Sequence, residues 1–126
     1  NILGPADRIA AYIDWDDSIA GDVMDDVSLI ACFHGFDVVD AILKGYSSVR
    51  PLPADYEARI WLHLLRNMII KSVIRVGASY FEKSLDFFLI GSKSSGEDFK
   101  AKTKFRLLKA LEGVRSDLPI AEIPGP

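Results

Sequence analysis

Ile9-Ala10-Ala11-Tyr12-Ile13-Asp14-Trp15-Asp16-Asp17 is a short apolar run that ends in carboxylates, and Gly21-Asp22 and Asp25-Asp26 extend the cluster. The apolar run reads as a strand held inside the protein. Upstream, Gly4-Pro5-Ala6-Asp7 is a turn signal between Ile2-Leu3 and Ile9–Ile13, so a β-hairpin is expected there. Carboxylates this close repel one another unless a positive charge sits among them. A hard cation such as Mg²⁺ suits such a set, because it takes oxygen ligands and keeps phosphates as further partners.

Beyond Asp26 the apolar spacing turns helical and no further strand is expected. A first helix carries Val27, Ile30, Ala31 and Phe33 or His34 on one face and ends near Gly35. A second runs over Asp37–Tyr46 with Val38, Ile42 and Leu43 buried. Pro51-Leu52-Pro53 breaks the chain and opens the longest helix, Ala54–Val76, with Ile60, Leu64, Asn67 or Met68 and Lys71 in register. Trp61, Leu65, Ile69 and Val73 flank that row. Gly77 ends or bends it. Ser79–Ile90 reads as a fourth helix, and Gly91–Gly96 as a flexible linker. A last helix, Phe99–Gly113, carries Phe105, Leu108 and Leu111, and an extended tail follows from Pro119.

Composition bounds the reading. The chain has 126 residues, 49% hydrophobic and 26% charged, with a net charge of -3. That describes one globular domain and argues against nucleic acid as the main partner, since phosphate binding needs a basic footprint. The single cysteine, Cys32, pairs with nothing inside the chain, and a reducing, cytoplasmic setting is expected. Cys32 itself reads as a small buried hydrophobe. The most apolar window, Met68–Val76, is interrupted by Lys71 and Arg75 and is too short to span a bilayer.

Three chemistries compete for the acidic cluster. A solvated turn with an aspartate capping the next helix is the plainest, and Asp25 or Asp26 suits it. A Ca²⁺ loop of the EF-hand type fails, because Ile19 stands where glycine is needed and Asp25 where glutamate closes the loop. The third is a kinase-type metal site, and here the order of motifs is specific. Asn1-Ile2-Leu3, then Tyr12-Ile13-Asp14-Trp15-Asp16, then Gly21-Asp22 with Asp25-Asp26-Val27, resembles the C-terminal half of the aminoglycoside phosphotransferase and choline kinase family. Lys44-Gly45-Tyr46 and Arg50-Pro51-Leu52 resemble the spacer that the family carries ahead of its next helix. The likeness is best over residues 1–75. Val23 and Val27 depart from the proline and leucine usual in the family.

The resemblance implies a protein-kinase-like fold. Residues 1–126 then form the C-terminal lobe fragment, mainly α with a leading hairpin. They divide into a hairpin and metal-binding loop (1–25), a helical substrate-lobe region (26–90), a linker (91–98) and a C-terminal helix and tail (99–126). It implies ATP and Mg²⁺ as cofactors, with Asp14 and Asn1 holding the metal against the nucleotide, Asp16 as an accessory ligand and Asp26 as a structural anchor. It also implies a general base upstream of Asn1 and a nucleotide-binding lobe outside this chain, so that these residues alone are inactive. Expected partners are a small hydroxyl substrate and, for uncovered apolar surface, the missing lobe or a second copy. The rival reading is a non-catalytic helical binding module or a degenerate kinase-like domain.

His34 and His63 read as isolated. Trp61 and Tyr56 suit a core better than a substrate pocket, and the acids Asp37, Asp40, Asp55, Glu57, Glu82 and Asp86 a solvated face. Lys100, Lys102, Lys104, Arg106 and Lys109 read as an exposed basic helix face.

Overall fold

A computed structural model describes residues 2–13, 20–83 and 95–125. Strands β1 (Ile2–Leu3) and β2 (Ala11–Tyr12) pair antiparallel, with Ile2 opposite Tyr12 and Leu3 opposite Ala11. The expected hairpin forms, but its strands are not interior. Leu3, Ile9, Tyr12 and Ile13 are all exposed, because two residue pairs make too small a ribbon to bury a face of its own.

Helices α1 (Met24–Ala31), α2 (Phe36–Ser47), α3 (Tyr56–Gly77) and α4 (Gly96–Ser116) make up most of the described chain. The mainly helical expectation holds, and the first three helices lie close to their expected bounds. Met24, Val27, Ala31 and Cys32 of the α1 region meet Val39 and Leu43 of α2 and Ile60, Trp61, Leu64 and Met68 of α3. Ala110, Ile120 and Ile123 close this core from the C-terminal side. On α2 the deepest residues are Val39 and Leu43, while Val38 and Ile42 are half-buried. Phe33 and His34 fall outside the helix and are exposed. Burial pushes the Cys32 thiol up to about 11, which suits an inert core residue.

Helix α3 is the central element. It runs alongside α1 in the same direction, since Ser28 meets Asn67 and Phe33 meets Lys71. It runs opposite to α4, since Trp61 lies at Gly113 and Arg75 at Thr103. Ser95 and Asp98 start α4 with reciprocal bonds: Asp98 N–H donates to Ser95 Oγ at 3.1 Å and Ser95 N–H to Asp98 Oδ2 at 2.9 Å.

The inner face of α4 differs from the expected one. Phe105, Leu108 and Leu111 are exposed, while Gly96, Thr103, Arg106, Ala110 and Gly113 are buried. The cause is the indole of Trp61. A Cβ on Gly113 would stand 2.3 Å from Trp61 Cδ2, so only glycine lets the two helices approach this closely. Gly113 is therefore a packing residue inside the helix and not its end. Asp117, in the left-handed conformation at φ 49°, ends α4.

Arg106 is likewise not part of an exposed basic face. It is buried and donates Nη1 to the Ala31 and His34 carbonyls at 2.7 and 3.2 Å, and Nη2 to the Gly125 carbonyl at 2.8 Å. The guanidinium thereby satisfies the end of α1, where a cation is favoured, and holds the tail across it. The tail contains a 3₁₀ turn, Ile120–Glu122, where an extended segment was expected. Where a helix was expected from Ser79, the described residues hold a single 3₁₀ turn, Tyr80–Glu82, and Lys83 is extended. Residues 84–90 and linker residues 91–94 lie outside the described residues, and linker residues 96–98 already belong to α4.

Candidate functional site

The start of α1 carries the described part of the acidic cluster. Asp22 Oδ1 accepts the Met24 N–H at 3.0 Å, and Asp25 N–H donates to the Asp22 carbonyl at 2.9 Å. Asp22 thus serves as the capping acid that the plain reading assigned to Asp25 or Asp26. Its second carboxylate oxygen faces α3, with Arg59 Nη1 and His63 Nε2 each 3.3 Å away.

One turn on, Asp25 meets the same helix. His63 Nδ1 stands 3.6 Å from Asp25 Oδ1, Arg66 Nη1 donates to Oδ2 at 3.1 Å, and Asn67 Nδ2 donates to Oδ1 at 2.9 Å. Asn67 is buried and its amide also donates to Ser28 Oγ at 2.9 Å, while that hydroxyl donates to the Asp25 carbonyl at 2.7 Å. His63 therefore stands between two carboxylates, one on each ring nitrogen, and is not isolated. Sequence reading missed it because its partners lie 41 and 38 positions upstream. The available signal was Arg59, His63, Arg66 and Asn67 at three-to-four spacing, a polar row on an otherwise apolar helix.

This cluster neutralises charge and fixes geometry. Two carboxylates are shared among Arg59, His63 and Arg66, which latches the end of the acid-rich loop to α3. The Met24 N–H bond, together with His63 and Arg59, holds the Asp22 carboxyl below the ordinary aspartate value of 3.8. A depressed folded-state pKa means that the unfolded chain binds the proton more readily. The contribution is thus fully present above 3.8 and is lost as pH falls below it. Asp22→Asn keeps the cap and removes the charge. It should cost about 1 kcal/mol at pH 7 by urea unfolding, and the gap from the parent protein should close toward zero in strong acid.

The metal ligands that the resemblance implies, Asn1, Asp14 and Asp16, lie outside the described residues. The pairing of Ile2 with Tyr12 makes the open end of the hairpin the one where residue 1 precedes and residue 14 follows in sequence. Asp26 is described. It is exposed on the first turn of α1, and its side chain makes no hydrogen bond or ion pair among the described residues. Among those residues there is also no group of three or more His, Cys, Asp or Glu side chains placed to hold a metal.

A shallow cleft of about 220 Å³ opens between α2 and the start of α3, lined by Phe36, Asp40, Lys44, Leu52, Tyr56 and Glu57 among others. Lys44 pairs with Asp40 at 2.5 Å, and the Tyr56 hydroxyl donates to Glu57 Oε1 at 3.1 Å. Burial and that carboxylate push the Tyr56 hydroxyl above its ordinary 10. Trp61 lies in the core instead, 1% exposed, with Nε1–H donating to the Leu118 carbonyl at 2.6 Å.

No family model, curated protein or solved structure matches this chain. No helix among the described residues is long and apolar enough to cross a membrane.

Proposed function

We propose that this chain is the C-terminal, substrate-side part of an ATP- and Mg²⁺-dependent phosphotransferase of the aminoglycoside phosphotransferase and choline kinase type. It acts in the cytoplasm on a hydroxyl group of a small molecule. The observation that carries the reading is the hairpin register. Ile2 opposite Tyr12, followed by an acid-rich loop and then by helices, is the order in which a kinase-like enzyme brings its two metal-binding segments together.

In this reading Asp14 and Asn1 hold Mg²⁺ and Asp16 assists them. Asp26, whose carboxylate is exposed and pairs with no described residue, is left to anchor a catalytic loop outside the described residues, and the helices from α1 onward present the acceptor. The acceptor is a small alcohol such as an aminoglycoside, choline, ethanolamine or homoserine. The metal supplies charge stabilisation to the transferred phosphoryl group. The Asp22 and Asp25 latch to Arg59, His63 and Arg66 fixes where the metal-bearing loop ends. The exposed hairpin residues Leu3, Ile9, Tyr12 and Ile13 are the surface on which the nucleotide-binding lobe sits.

The test is Mg²⁺-dependent ATP binding by the protein that joins this chain to its nucleotide-binding lobe. Asp14→Ala should weaken it on the order of 100-fold. Affinity that survives this substitution unchanged removes the metal role. The rival reading, a non-catalytic helical binding module, draws support from the exposed apolar residues of α3. It expects no Mg²⁺-dependent nucleotide binding at all.

A further inference from the structure

The outward side of α3 carries Leu62, Ile69, Ile70, Val73, Ile74 and Val76, which are 57%, 49%, 44%, 68%, 53% and 66% exposed. Leu62, Arg66, Ile69, Val73 and Val76 follow one another at steps of four, three, four and three. That is the spacing of a seam along which two helices lie side by side. The one charge on this seam is Arg66, and its guanidinium is drawn off toward Asp25 at 3.1 Å. What remains facing outward is a nearly uncharged stripe about four turns long.

We infer that this face is the contact between two copies of the chain, paired antiparallel through α3 about a two-fold axis near Ile69. Area supports a second copy. The six side chains leave on the order of 600 Å² of apolar surface uncovered, close to the roughly 800 Å² per partner of a standard interface.

Orientation follows from charge. A parallel pair would set Arg66 against itself and align the two helix dipoles, whereas an antiparallel pair opposes the dipoles. With Ile69 on the axis, Leu62 meets the partner's Val76, Leu65 meets the partner's Val73, and Arg66 comes opposite the partner's Ser72. Such a contact is isologous and closes on itself. A membrane surface suits the stripe less well. Interfacial helices flank their apolar side with lysine and arginine aimed at lipid headgroups, whereas on α3 Arg59 and Arg66 pair with Asp22 and Asp25, Arg75 is buried against Thr103 and Lys71 lies over the Phe33 ring.

Sedimentation and light scattering of the 126-residue chain from about 1 to 100 µM test the inference, with a reversible dimer expected. Ile69→Glu combined with Val73→Glu should raise the dissociation constant at least 100-fold and leave the circular dichroism unchanged, since both positions are solvent-facing. Ile69→Cys should cross-link to itself on oxidation. Val76→Cys should do so only when mixed with Leu62→Cys, and Cys32, at 3% exposure, stays out of the reaction.

A monomer at 100 µM overturns the inference, as does a dimer that ignores both glutamates. Self-linking of Val76→Cys as readily as Ile69→Cys overturns the antiparallel arrangement. A monomer in which Val73→Cys resists thiol labelling means that another segment of the same chain covers the face, and a monomer that pellets with anionic vesicles means that a lipid surface does. Either result excludes the second copy.

Discussion

Trp61→Ala should lower the stability of this protein by about 4 kcal/mol and its thermal midpoint by on the order of 15 °C, more than any other single truncation proposed here. The indole is 1% exposed and lies against Gly113 of α4, which has no side chain to fill the space that alanine would leave. The Leu118 carbonyl also loses the Nε1–H donor it now holds at 2.6 Å. Two costs are therefore added, a cavity at the α3–α4 contact and an unpartnered acceptor at the start of the tail. Trp61→Phe separates them. It keeps most of the packing and gives up the hydrogen bond, so a loss of about 1–2 kcal/mol is expected. Urea unfolding of the two variants checks the pair, and equal losses would show that the hydrogen bond outweighs the packing.

Arg106→Met should cost about 3 kcal/mol, because the methionine keeps the aliphatic stem and removes every donor. The Ala31, His34 and Gly125 carbonyls lose a charged partner together, and the end of α1 loses the cation that stands at its negative pole. Burial lowers the guanidinium pKa from its ordinary value, yet the group remains charged at neutral pH. A second readout separates this role from general destabilisation. Ile120 and Ile123, now almost fully buried, should become accessible to protease before the helical core unfolds. Arg106→Lys should fall between the two proteins, since an ammonium cannot span three carbonyls. A tail that stays protected in Arg106→Met would mean that Trp61 and the two isoleucines hold it without help.

Both predictions concern features that apolar periodicity cannot reveal. Helices α2 and α3 were legible because Gly35, Pro51-Leu52-Pro53 and Gly77 punctuate rows of large apolar residues. The face of α4 was not. Periodicity assigns the core to Phe105, Leu108 and Leu111, but the Trp61 ring selects the small side of the helix, where Gly113 leaves room for it, and the same side carries Ala110 into the core and Thr103 to Arg75. Arg106 reads as one member of a basic run until three carbonyls from distant segments are seen around it. On α3 the same ambiguity ran the other way, and Ile69 and Val73, read as flanking the core row, are exposed.

The candidate site divides along similar lines. The hairpin that leads into it was legible from a glycine-proline turn between the apolar segments Ile2-Leu3 and Ile9–Ile13. The partners of Asp22 and Asp25 were not, because which turn of α3 faces the start of α1 is fixed by the core residues beneath, Val27, Ile60 and Leu64. Once those pack, Arg59, His63, Arg66 and Asn67 fall opposite the two carboxylates.

The bond from Trp61 to Leu118 also ties together positions 57 apart in sequence, across the whole of the α3–α4 connection. Contacts of that separation close late when a chain folds, after local helices have formed. The sequence holds two tryptophans, so a Trp15→Phe background leaves Trp61 as a lone fluorophore. Its emission then times the closing of this loop, from residue 61 to residue 118. Far-UV circular dichroism follows helix formation in the same sample, and a lag between the two signals measures how long the helices wait for the tail to dock.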